Sequence, residues 1–279
     1  MKLGVALRSM GPQSRAEVLL ACARAAEDAG LADLWVQDHI AIPPDDAEGS
    51  GGRYLDPLTA LAWLAASTSR IGLGTGVLVL PYRRALPTAK AVATVQELSG
   101  GRLRLGVGVG WMDAEFRALG VPRSERGARS DAALDLLERA FAGSVVTEHG
   151  QDFLFLPRPE RPPIYVGGSG EHALRRAARY GDGWFAMGGK PEELAAAKAR
   201  LRELFAEAGR REAPRVLSFA SFDPREPGSV PARLGALHEA GVDQLIAGVR
   251  YADAAGFSEH TAFLEEHVLP ELHADGSPG

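Results

Sequence analysis

Short apolar runs alternate with longer helix-patterned segments along almost the whole chain, and this alternation restricts the fold more than any other feature. The pairs are Leu3–Leu7 with Arg15–Ala29, Asp33–Val36 with Pro57–Ser67, Ile71–Val77 with Pro87–Leu98, and Leu103–Val107 with Ser130–Ala142. They continue as Ile164–Val166 with Glu171–Tyr180, Gly183–Ala186 with Glu192–Ala208, Val216–Phe219 with Val230–Ala240, and Asp243–Ile246 with Phe257–Leu269. Parallel neighbours need a crossover connection, which the intervening helices supply, and eight such units close into an α/β (β/α)8 TIM barrel. An open doubly wound sheet is the alternative. The length of 279 residues suits one barrel, since such barrels run to roughly 250 residues. Gly30 and Gly241 stand where helices should end before the next strand, as C-caps do. Two segments interrupt the rhythm. Ala41–Arg53 is rich in Gly, Pro and Asp, and Ser144–Pro163 reads as a hairpin insertion between the fourth and fifth units, with Val145–Glu148 and Phe153–Leu156 flanking Gly150. The barrel is expected over residues 1–273, with 274–279 as a frayed tail.

Composition excludes several classes of function. Hydrophobic residues make up 46% and charged residues 24%, the balance of a chain with a sizeable core. The net charge is −5 and no basic run could follow a phosphate backbone, so nucleic acid is not an expected partner. No basic-then-apolar leader and no apolar stretch of membrane-spanning length is found, which predicts a soluble, unexported chain with the cytoplasm as its default location. The single cysteine, Cys22, sits among Leu19, Leu20, Ala23 and Ala26 and reads as a packed core thiol rather than a nucleophile. The seven histidines are scattered without ligand spacing, so no metal site is expected. Neither a Gly-x-Ser-x-Gly elbow nor a Walker lysine is present.

A barrel builds its active site at the C-terminal ends of its strands, and four places qualify. Gln37-Asp38-His39 ends the second strand: His39 can transfer protons near neutrality and Asp38 can bias its charge, although a histidine there can equally cap a loop. Gly72–Val77 carries three glycines in a buried strand, which suits a close-lying flat ligand, a bulge, or simply tight barrel packing. Gly106–Trp111 repeats the pattern, with Gly108 and Gly110 opening one face and Trp111 placing a large ring at the mouth or in the core. Gly167-Gly168-Ser169-Gly170 precedes a helix, so backbone amides, the helix terminus and a hydroxyl converge on one point, an anion site if not a plain capped turn.

In this order the motifs resemble the luciferase-like oxidoreductases, particularly the branch that uses the deazaflavin coenzyme F420. The resemblance is carried by Trp35–His39, Gly74–Pro81 with Tyr82-Arg83, Gly100–Leu103 leading into Gly106–Trp111 and Glu115-Phe116, and Pro163–Gly170 followed by Asp182-Gly183-Trp184. It implies that His39 handles the proton at the reactive edge of the ring and that Gly167–Gly170 hold the cofactor phosphate. It further implies a non-proline cis peptide near Gly76-Val77 behind the ring. Asp38, Gly76, Val77, Gly108, Gly110, Gly167, Gly168, Ser169 and Gly170 are then the cofactor-binding set, with Tyr82, Trp111 and Trp184 shaping an apolar pocket for a small organic substrate. Some deazaflavin dehydrogenases of the family carry a glutamate where this chain has Trp111, which puts a sugar-phosphate mechanism relying on that acid in doubt. The phosphate site follows the fifth strand rather than the seventh and eighth, where barrels more often place it. The resemblance implies F420 as cofactor with FMN as the alternative, and pairing into a homodimer through the apolar helices at Pro57–Ser67 and Pro87–Leu98. An FMN-dependent monooxygenase and a non-catalytic flavin-binding protein are the rival functions. Arg83, Arg84, Arg104, Arg123 and Arg126 lie in expected mouth segments, suited to the acidic glutamyl tail of F420 or to plain solvation.

Overall fold

The computed structural model describes residues 1–274 and closes the expected barrel. Eight parallel strands follow one another around it: β1 (Lys2–Ala6), β2 (Asp33–Val36), β3 (Gly72–Thr75), β4 (Leu103–Gly108), β5 (Ile164–Gly167), β6 (Gly183–Ala186), β7 (Arg215–Ala220) and β8 (Gln244–Ala247). Closure comes from β1 against β8, with Lys2 opposite Gln244, and from β3 against β4, with Leu73 opposite Leu103. After the cis Gly76–Val77 peptide, Leu78–Val79 resumes pairing with Val107 and Gly108 of β4. Strands covered on both faces read as apolar runs without alternation, and β2, β3, β5, β6 and β8 are buried at every position.

Helices α1 (Ala16–Asp28), α2 (Pro57–Ala65), α3 (Ala85–Leu98), α4 (Asp113–Ala118), α5 (Arg126–Ala142), α6 (Glu171–Tyr180), α7 (Pro191–Glu207), α8 (Val230–Glu239), α9 (Ala254–Phe263) and α10 (Leu269–Ala274) surround the strands. Local chemistry sets their ends. Asp56 accepts from the Thr59 N–H ahead of Pro57, and Gly30 and Gly241 take the left-handed conformation expected beyond α1 and α8. Among the described residues no helix is long and apolar enough to cross a membrane. Cys22 is fully buried, and burial pushes its thiol up to about 11.

Barrel packing explains part of the glycine pattern. Trp35, Tyr165, Phe185, Leu217 and Ile246 form the inner core. The Trp35 ring occupies the space that side chains on its neighbours would need: a Cβ on Gly74 would lie 2.4 Å from it, and one on Gly4 2.8 Å. Gly74 is therefore a packing glycine, Gly72 leaves room for the Asp33 carboxylate instead, and Gly76 faces the cavity described below.

Several boundaries differ from expectation. The second hairpin strand is Gln151–Leu154 rather than Phe153–Leu156, because His149 and Gly150, both at positive φ, form a two-residue turn that fixes the register. Phe155 then leaves the hairpin and is buried beside Phe141. Helix α5 starts at Arg126, a turn before Ser130, which brings Arg126 to the barrel mouth. The final helical pattern is α9, a wide turn over Leu264–Val268, and α10; widening the turn relieves the clash that Pro270 would otherwise make one turn back. The expected tail falls outside the described residues except for Ala274, which ends α10.

The apolar face offered to a partner on α2 and α3 is largely used by the chain itself, since Ala60, Leu61, Leu64, Val92 and Val95 are all buried. Trp63 and Leu98 remain exposed. We propose that a second copy covers these two side chains. Sedimentation at micromolar concentration is expected to give a dimer that Trp63→Glu with Leu98→Asp converts to monomer; a monomeric wild type contradicts the pairing.

Candidate active site

The end of β2 delivers Asp38 and His39 to the barrel mouth in different roles. Asp38 is buried and its carboxylate accepts two bonds from Arg83, at 2.6 and 2.9 Å, and one from the Val79 N–H at 2.8 Å. It ties β2 to the chain just beyond the cis peptide. Although it borders the cavity, its oxygens are occupied by the protein, so the expectation that Asp38 biases the charge of His39 is corrected: that role falls to another acid.

That acid is Glu115, on the short helix α4. Its side chain has no exposed surface, and its carboxylate accepts from His39 Nδ1 at 2.9 Å, Tyr82 Oη at 2.9 Å, and the N–H groups of Ile40 and Ala41 at 2.6 and 3.0 Å. Burial alone would raise its pKa, but these four donors outweigh it and hold the carboxyl down to about 2. Burial, with Glu115 opposite, pushes the Tyr82 phenol well above its ordinary range, so it remains a donor. An acceptor-only carboxylate at Nδ1 fixes the neutral imidazole as the Nδ1–H tautomer and leaves Nε2 for a ligand. Tyr82 borders the cavity as expected, yet its hydroxyl serves Glu115 rather than a substrate. The sequence carries Glu115 in a recognisable motif, but nothing in its spacing shows that α4 folds back against the β2 loop, 76 residues earlier in sequence at His39.

A cavity of about 510 Å³ opens beside His39. One wall is Gly76-Val77. Val77 is wedged between strands that carry no side chain there: a Cβ on Gly108 would lie 2.6 Å from Val77, and one on Gly167 2.9 Å. Gly110, also at the cavity, has φ +76° and no room for a Cβ against Val79 and Phe116. The far end is formed by Gly167, Gly168 and Ser169 at the start of α6, with Arg126, His172 and Arg176 around them. Amides, a helix terminus and arginines are the groups that could hold an anion at this end.

Two expected site residues stand outside the cavity lining. The Trp184 indole N–H donates to the Gly168 carbonyl at 2.7 Å and the ring is buried, so it braces the Gly167–Ser169 loop instead of lining the cavity. Gly170, at φ +78°, caps α6 behind the loop. Of the arginines considered, only Arg126 lines the cavity. Arg83 is spent on Asp38 and Asp56, Arg84 borders the groove between α2 and α3, Arg104 pairs with Asp33 at the opposite end of the barrel, and Arg123 pairs with Asp113. Trp111 stands at the rim, 67% exposed. A flat ring with a phosphate-bearing arm fits these residues: the glycine-lined walls leave a slot, the anion loop terminates it, and the buried Gln37 Oε1 has no protein partner and is free to accept from a ligand N–H.

Because Glu115 is depressed below the ordinary 4.5, its ionisation supports folding above that value, and the support is lost as pH falls towards about 2. Denaturant midpoints measured across this window should fall for the wild type and change less for Glu115→Gln; identical slopes would show that the carboxylate is not held as described.

The profile of the luciferase-like monooxygenases matches residues 1–227. An uncharacterised protein of Mycobacterium tuberculosis is 33% identical over 246 residues, covering 82% of this chain and 83% of its own. An F420-dependent glucose-6-phosphate dehydrogenase of Beutenbergia cavernae is 40% identical over 187 residues, 63% of this chain and 54% of the dehydrogenase. Among solved structures, monooxygenase RslO1 from Streptomyces bottropensis superposes with a TM-score of 0.81 at 21% identity, covering 98% of this chain and 100% of that one. The barrel, the cavity at its C-terminal mouth and the match across most of the sequence agree: the chain belongs to the luciferase-like monooxygenase family.

Proposed function

We propose that the chain is an oxidoreductase that binds the deazaflavin F420 in this cavity and transfers a hydride between it and a small organic molecule. The observation that carries the reading is the His39–Glu115 pair beside a cavity of about 510 Å³ that is lined on one side by Gly76-Val77 and at its far end by Gly167–Ser169. The dehydrogenase relative from Beutenbergia cavernae, named for F420, supports the deazaflavin over FMN.

When bound, the deazaflavin supplies a carbon centre that accepts or gives up a hydride and reacts poorly with dioxygen. Everything else falls to the protein. The amides and hydroxyl of Gly167–Ser169, with Arg126, would hold the phosphate, Gly76-Val77 would support the ring, and Gln37 Oε1 would accept from a ring N–H. His39 Nε2 takes the proton released when an alcohol is oxidised, or returns it in the reverse direction, and Glu115 steadies the imidazolium between the two. Tyr82 keeps the carboxylate oriented. A purely sequestering protein has no use for a histidine oriented in this way.

Titration of the purified protein with each cofactor, followed by fluorescence, is expected to show tighter binding of F420. Submicromolar FMN binding with no detectable F420 binding would replace this reading by an FMN-dependent monooxygenase. Gly168→Val should weaken cofactor binding by at least about tenfold, or about 1.4 kcal/mol, through loss of the amide approach, and an unchanged dissociation constant in a folded variant contradicts the phosphate assignment. His39→Ala should slow turnover roughly 100-fold with little change in cofactor affinity; equal turnover removes His39 from the proton path.

A further inference from the structure

The mouth around His39 is built of apolar surface that the barrel does not need for its own packing. Most large apolar side chains are buried, yet Ile40, Trp111 and Met187 are 46%, 67% and 53% exposed. Trp111 and Met187, from the segments after β4 and β6, line the cavity, and Ile40 is the residue next to His39 at its edge, so separate loops bring apolar surface to one opening. Trp111 stands edge-on to His39, with ring centroids 6.1 Å apart, and Tyr54 lies against His39 from the Ala41–Arg53 side at 4.9 Å. The left-handed Gly110, whose Cβ position is blocked by Val79 and Phe116, turns the chain just before Trp111 and keeps the indole off the core. An exposed apolar rim around a polar reacting group marks a ligand-binding surface.

Charge is distributed unevenly across the same cavity. The arginines that line it, Arg126 and Arg176, flank the Gly167–Ser169 end, and Arg176 is already paired with Asp131 at 2.6 Å. Arg83 is held by Asp38, which precedes His39, and by Asp56. The ionised Glu115 lies directly behind His39, and Asp45, Asp46 and Glu48 are exposed on the adjoining loop. An anionic group brought to His39 would lose water without gaining a cation and would meet this negative field. One hydrogen-bonding oxygen on an uncharged body suits Nε2.

We infer that the second ligand of the cavity is an uncharged, apolar, ring-sized ketone or alcohol, held between Trp111 and Met187 with its oxygen at His39 Nε2, and that phosphorylated sugars are not substrates. This rests on the reading of the cavity as a cofactor site, which a separate arm of the experiment checks. Titrate the apoprotein and the cofactor-loaded protein with acetophenone, cyclohexanone and glucose 6-phosphate by ligand-observed NMR. Acetophenone is expected to bind at least about tenfold more tightly than glucose 6-phosphate, and Trp111→Ala to weaken it about fivefold, the scale of one lost aromatic contact. Met187→Ala gives an independent check, with circular dichroism confirming that both variants are folded. Tighter binding of glucose 6-phosphate, or acetophenone binding indifferent to both substitutions, overturns the inference. If neither F420 nor FMN binds, the cofactor reading fails, while the apoprotein titrations still decide for or against the apolar ligand.

Discussion

A carboxylate without exposed surface has to find all its hydrogen bonds inside the protein, and Glu115 meets that demand with four donors from two distant stretches of chain. Losing them would leave a buried charge uncompensated, at a cost of several kcal/mol. The demand therefore fixes more than one side chain. It holds the first turn of the loop after β2 through Ile40 and Ala41, anchors α4 to that loop, orients Tyr82 and selects the tautomer of His39. Asp38 performs the neighbouring task for the other side of the mouth, joining β2 to Val79 and Arg83. Two adjacent residues thus take different duties: one locks the frame and the other stays available for chemistry.

Barrel geometry makes this division possible. The large ring of Trp35 fills the interior because Gly4 and Gly74 leave space on the strands at either side, and Val77 stands in the cavity wall because Gly108 and Gly167 leave space for it. Bulk on one strand is matched by its absence on the neighbours, which keeps the interior dense while opening a flat slot at the top. The Gly167–Ser169 loop is braced by the Trp184 indole, so an aromatic side chain at a strand end supports the cavity without lining it.

Most of the architecture was legible from local pattern. Eight repeats of strand and helix, with Gly30 and Gly241 at helix ends, lead to the closed barrel because each depends on near neighbours in sequence. The positions of the cavity residues were legible where backbone chemistry decides, as in Gly167-Gly168-Ser169 ahead of α6 and Gly76-Val77, all of which line the cavity. Side-chain partnerships across the mouth were not. Asp38 is next to His39 in sequence and was the obvious partner, but the turn after β2 points the two carboxylate oxygens of Asp38 at Arg83 and leaves His39 to Glu115. Trp184 and the expected mouth arginines other than Arg126 stand away from the cavity for a similar reason: residue type suggests a ligand contact, whereas direction and a competing partner are settled only by the fold. Arg102, within the Gly100–Leu103 motif, shows the same limit, since its guanidinium is spent on Ser99, Thr68, Ile71 and Ala65 and serves the frame of the barrel.

The reading of the mouth turns on which nitrogen of His39 carries the proton in the neutral ring. Nitrogen-15 chemical shifts measure this directly, with the His39 signals assigned by their loss in His39→Gln. If Glu115 holds Nδ1–H, Nδ1 should appear at a pyrrole-type shift and Nε2 at a pyridine-type shift in the wild type, and Glu115→Gln should move the ring towards the mixture of tautomers found in free histidine. A neutral wild-type ring protonated on Nε2 with Nδ1 bare would contradict the arrangement and, with it, the assignment of Nε2 as the atom that exchanges a proton with the substrate.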